Sequence, residues 1–133
     1  MSKIVDTIKG IESEYIGSVS MEVIEEAQRE LNFQFPEEYK ELLKNFGVIS
    51  IGSHEIFGLG VDNYLNVIVA TKSERNRYPN LLEKYIVIEN FSMEGILILL
   101  NNDGEVYEFY NGKTKLITES LVQYLTEEII SKL

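Results

Sequence analysis

The chain has 133 residues, of which 44% are hydrophobic, and twenty-two acidic against twelve basic side chains give a formal charge of -10. That length suits one domain able to bury roughly two-thirds of the surface its unfolded form exposes. The charge disfavours nucleic acid and anionic membranes, the lack of cysteine excludes disulfide and thiolate chemistry, and no apolar run approaches the ~20 residues of a membrane span.

With no charged-then-apolar signal at Met1, a cytoplasmic location is expected. Ile4, Val5, Ile8, Ile11 and Tyr15 recur at helical spacing, which predicts an amphipathic helix from about Ser2 to Glu14, ended by Gly17. Ser20 is the expected N-cap of a second helix with Val23, Ile24, Ala27 and Leu31 inward. Pro36 suits the start of a third, Glu37 and Glu38 complement its dipole, and Tyr39, Leu42, Leu43 and Phe46 form its core stripe up to Gly47. Tyr39 is expected in the core with its hydroxyl reaching a partner at the rim.

Val48 to Ile51 and His54 to Leu59 read as short strands divided by Gly52-Ser53. Asp62 or Asn63 is the expected cap of a helix using Leu65, Ile68 and Val69, although the β-branched residues there also permit a strand; it ends before Pro79. Tyr85 to Glu89 is the next strand, pairing with the hairpin that dominates the chain, Ile96 to Leu100 and Val106 to Tyr110 across Asn102-Asp103-Gly104. The unbroken apolar run Ile96 to Leu100 belongs inside the sheet, since on an exposed edge it would aggregate. After Asn111-Gly112, Lys115 to Ile117 adds a strand, and Ser120 caps a last helix, with Gln123 three residues on, that buries Leu121, Val122, Leu125 and Ile129. The predicted fold is α+β: residues 1–133 as a single domain, with a central, mainly antiparallel sheet of about five or six strands between N-terminal helices and a C-terminal helix.

No metal, cofactor or catalytic set is expected. His54 stands alone and is read as a surface or hydrogen-bonded structural residue, Gly58-Leu59-Gly60 lacks the third glycine of a dinucleotide loop, and Asn102-Asp103-Gly104 is a turn rather than a calcium loop. Acidic charge gathers at the two ends of the chain: ten acids to five bases up to Phe46, five to four from Gly47 to Asn90, seven to three beyond. Glu94, Asp103, Glu105 and Glu108, interleaved with Tyr107 and Tyr110, are therefore the candidate partner-binding residues, since acids around amphipathic tyrosines suit a basic protein; a merely solvated face is the alternative.

Phe35-Pro36-Glu37-Glu38-Tyr39 with Leu42, Leu43 and Asn45 to Gly47, then Ile56-Phe57-Gly58, Tyr85 to Ile88, Gly95, Asn102 to Tyr107 and Ser120-Leu121, resemble in order and spacing the SUKH superfamily. That superfamily contains fungal cell-wall synthesis regulators and small bacterial proteins encoded beside toxins. Phe35 replaces the family's usual leucine, and Phe46 interrupts its Asn-Gly step, departures that bear on subfamily more than on fold. The resemblance implies the α+β fold above and, for small bacterial members, an immunity role: binding and neutralising a cognate toxin, often a nuclease. The charge points to a basic toxin domain as that partner, and a monomer or weak dimer is expected. The fungal relatives imply instead a regulatory or scaffold domain with an endogenous partner, its charge serving solubility. An enzyme acting through Glu89 and Glu94 has no supporting spacing.

Overall fold

A computed structural model describes residues 2–133. Ser2 caps the first helix, α1 (Lys3–Ile8), by accepting a hydrogen bond from the Val5 N–H. The helix stops well short of the expected Glu14. Lys9 leaves the helical region and Gly10 takes a φ of +82°, so the chain turns and Glu14–Tyr15 becomes a short strand, β1. Tyr15, expected in the core, is exposed there.

Ser20 caps α2 (Met21–Leu31) as expected, accepting from the Val23 N–H, and Ile24, Ala27 and Leu31 are buried while Val23 lies outside the stripe. Pro36 caps α3 (Glu37–Phe46), whose Tyr39, Leu42 and Leu43 are fully buried. The Tyr39 hydroxyl donates to the Phe57 carbonyl at 2.6 Å, the partner expected for it. Glu38 does more than complement its own helix: its Oε1 accepts the Val122 N–H at 3.1 Å, joining α3 to the far end of the chain.

Strands β2 (Ile49–Ile51) and β3 (His54–Ile56) pair with β1 as an antiparallel sheet in the order β1-β2-β3. Beyond β3 the backbone runs into α3's exit. Leu59 N–H donates to the Gly47 carbonyl, and a Cβ built on Gly58 would lie 1.7 Å from that same oxygen. Only glycine allows this approach. The chain then loops back, and the Val67 N–H meets the Gly58 carbonyl at 2.8 Å where α4 (Val67–Arg77) begins. The cap of α4 is Asn66, whose Oδ1 accepts from Ile68 and Val69; Asn63, one of the two expected caps, instead accepts the Leu65 N–H in a turn. The segment is a helix, yet its buried residues are Val67, Thr71 and Glu74, at i, i+4 and i+7, and Val69 is exposed.

The second sheet is an antiparallel meander of β4 (Ile86–Phe91), β5 (Ile96–Leu100), β6 (Val106–Tyr110) and β7 (Lys113–Thr118), with β5 inside it as the apolar run requires. The structure therefore divides its seven strands into sheets of three and four rather than one sheet of five or six. They meet where the Phe57 N–H donates to the Ile88 carbonyl at 2.8 Å. Ile88 is the extra residue of a bulge between Val87 and Glu89, and the Val87 N–H is satisfied there by buried Thr71 at 3.0 Å. Arg75 donates to the carbonyls of Leu31, Leu82 and Tyr85, tying α4 to the end of α2 and the approach to β4. Ser120 caps α5 (Leu121–Tyr124), and the Gln123 side chain returns to the Glu119 N–H. The helix continues as a π-helical stretch, Leu125–Ile129, and a final turn, Ile130–Lys132.

Two substitutions test this packing. Leu43→Ala is expected to cost on the order of 2 to 5 kcal/mol, read from chemical denaturation, and a loss below about 1 kcal/mol would mean the stripe is not where the cavity forms. Gly58→Ala, a gain of one methyl against a carbonyl, is expected to cost about 3 kcal/mol or more, whereas a glycine needed only for flexibility would cost a fraction of that.

Candidate functional site

The structure places the six hairpin residues in three separate surroundings. At the β5–β6 turn, Glu105 is half-buried: its Oε1 accepts from Asn101 Nδ2 at 2.8 Å and from the Tyr107 hydroxyl at 3.2 Å. Asp103 is exposed at the same turn, where Asn101 Oδ1 accepts the N–H groups of Asp103 and Glu105. Asn102 donates to the Gln34 carbonyl, so the turn is braced against the α2–α3 connection. Tyr107 stacks edge-on against Tyr85, with centroids 5.2 Å apart. Glu108, the next residue along β6, points to the opposite face because strand side chains alternate. It is paired with Lys115 and carries its charge toward Tyr124. Tyr110 and Glu94 are exposed at the other end of the hairpin, Tyr110 opposite Ile96 and Glu94 in the β4–β5 turn. Asp103, Glu105 and Tyr107 are thus together, Glu94 and Tyr110 lie apart from them, and Glu108 is on the other side of the sheet.

Beneath the C-terminal helix lies a buried carboxylate. Glu89 is 1% exposed. Its Oε2 lies 2.9 Å from His54 Nδ1, and its Oε1 accepts the Tyr124 hydroxyl. The expected hydrogen-bonded role of His54 is thereby met, with the ring also edge-on to Phe91 at 5.4 Å. This trio links β3, β4 and α5, and it occupies the carboxylate that an enzymatic reading would need free. Burial, and then the Glu89 charge and bond, push the Tyr124 hydroxyl far above its ordinary range; burial alone does the same to Tyr39.

A concavity that Glu89 also borders lies between α4, β3 and the end of β4. The close approach of Gly58 to Gly47 and the Gly58–Asn66 bridge set the start of α4 at a fixed distance from β3. They leave a groove of about 360 Å³ lined by Glu55, Phe57, Tyr64, Val69, Glu74 and Asn90, among others. Tyr64, 61% exposed, stands at its mouth. Its hydroxyl donates to the Glu55 carboxylate at 3.1 Å, which holds that hydroxyl above its usual range, and its ring is T-shaped to Phe57. Glu74, 7% exposed, forms the opposite wall. It also borders a second hollow of about 200 Å³ that contains Arg77 and Tyr78, and Arg77 Nη1 lies 3.4 Å from its Oε1.

None of Glu55, Tyr64 and Glu74 was singled out from the sequence. The available signal was Glu74, a charged residue in register with Val67 and Thr71 on the inward face of α4; a cap placed at Asp62 or Asn63 hid that register. Chemically, the groove is lined by three carboxylates, Glu55, Glu74 and Glu89, the last engaged by His54 and Tyr124, and by an aromatic wall. Among the described residues no three His, Cys, Asp or Glu side chains stand together as a metal site, and no helix is long and apolar enough to cross a membrane.

These features define an α+β domain whose built concavity is acidic and of side-chain size. The chain belongs to the family described as SUKH_5, SMI1-KNR4 cell-wall, whose model matches residues 1–130. Among solved structures, the crystal structure of a protein from Pseudomonas syringae pv. tomato superposes with a TM-score of 0.72 at 14% identity, covering 97% of each chain, which shows a shared fold. A search of curated proteins returns no match.

The two buried tyrosines give the domain an alkaline limit. A folded value raised above the ordinary 10.0 contributes stability in full below about pH 10 and loses it as pH climbs toward the folded value. Stability is expected to fall above about pH 10 by about 1.4 kcal/mol per pH unit for each hydroxyl. Tyr39→Phe should lower that slope by one hydroxyl's share in urea titrations at increasing pH; an unchanged slope would show that Tyr39 ionises within the fold.

Proposed function

We propose that this protein is a non-enzymatic binding module, an immunity protein that acts in the cytoplasm by masking a cognate basic toxin domain. Family membership over residues 1–130 in a chain of charge -10 carries this reading. A strongly acidic domain attracts a basic partner over several ångströms and turns away nucleic acid, which suits a protein whose target itself grips an anionic substrate. The engagement of Glu89 by His54 and Tyr124 favours binding over carboxylate catalysis. The family description's cell-wall term supports the other reading, a regulatory domain with an endogenous protein partner.

Capture from native cell extract decides between them. A basic, toxin-like protein retained in near-equal amount at low salt and released at high salt is the expected result, and producing it without this chain should arrest growth that co-production restores. Recovery of cell-envelope or signalling proteins alone would overturn the immunity role.

A further inference from the structure

Resting on that reading, we propose that the groove between α4 and β3 receives one arginine side chain of the basic partner, its guanidinium held between Glu74 and Glu55 beside the Tyr64 ring. The argument begins with Glu74, whose side chain is 9% exposed. A carboxylate so far out of water requires a cation or several donors. The chain supplies one poor partner: Arg77 Nη1 stands 3.4 Å from Oε1, beyond the ~2.7–2.9 Å of a charge-assisted bond. Arg77 is itself 64% exposed, with its guanidinium over the Tyr78 ring. Among the described residues Glu74 Oε2 accepts no hydrogen bond, and no fully buried side-chain polar atom lacks a partner. That oxygen therefore opens to the hollows Glu74 lines.

The larger hollow has no Lys, Arg or His in its lining, although carboxylates stand on both its β3 and α4 walls. Its volume is at the small end of the ~300–1,000 Å³ that ligand sites occupy, enough for a long side chain. Val69, 51% exposed, gives the rim an apolar contact for a methylene stem. Guanidinium fits this set better than ammonium, because its flat fork can donate to carboxylates on two sides while its face lies on tyrosine. Arginine anchors in desolvated pockets are also the side chains that most often dominate protein interfaces.

The test is an NMR titration of the full chain with N-acetyl-arginine methylamide, beside the lysine and norleucine analogues. Saturable shifts confined to the groove, around Glu55, Tyr64, Val69 and Glu74, are expected with arginine, weaker with lysine and absent with norleucine. Glu74→Gln should weaken binding about tenfold, and Val69→Arg, at an exposed position that leaves the fold intact, should block the groove. Shifts scattered over all acidic surfaces, or equal shifts from norleucine, would overturn the assignment. So would a captured partner that binds Glu74→Gln and Val69→Arg as tightly as the parent chain, in which case the binding-module reading survives. If capture yields no basic protein, that reading falls and takes the partner assignment with it.

Discussion

The architecture depends on one backbone crossing. Gly58 passes so close to the Gly47 carbonyl that no side chain fits between them, and hydrogen bonds fan out from this point. Gly17 N–H reaches the Phe46 carbonyl, Leu59 N–H the Gly47 carbonyl, and Val67 N–H the Gly58 carbonyl. The end of α3, the approach to β2, the exit from β3 and the start of α4 are all fixed by it. The groove lies beside this crossing, between α4, β3 and the end of β4.

Two carboxylates are withdrawn from water in this domain, and their treatment differs. Glu89 is enclosed by donors on both oxygens, from His54 and Tyr124, and its burial is spent on holding the C-terminal helix to the sheets. Glu74 has one distant, solvent-exposed cation and an oxygen left over. The remaining oxygen of Glu74 opens to the hollows it lines, where the proposed arginine would reach it. The two acids are thus held differently although both line the groove between α4, β3 and the end of β4.

Most of the fold was legible because it rests on local chemistry. Ser20 and Ser120 are caps, Tyr39, Leu42 and Leu43 recur at helical spacing, and the run Ile96 to Leu100 declares a covered strand. What was not legible depends on neighbours far along the chain. Tyr15 fits a helical register but belongs to a strand because β2 is there to pair with it. The split into two sheets turns on the Gly58 crossing, a contact between glycines that local pattern cannot pair. Alternation along β6 does predict that Tyr107 and Glu108 part company, while Asp103, Glu105 and Tyr107 stay together at the turn.

Charge counted by segment does not point to the groove, for a physical reason. The nearly neutral middle of the chain supplies Glu55 and Glu74, because a site is made by where carboxylates are held rather than by how many a segment contains. The two scales of charge do different work. The field of the whole chain, at -10, attracts cationic groups at long range and is screened by salt within ~10 Å. A desolvated carboxylate in a hollow acts only on contact and governs how long the partner stays. An acidic surface alone would hold any basic protein briefly; under the proposed arginine contact, the groove is what would add selectivity.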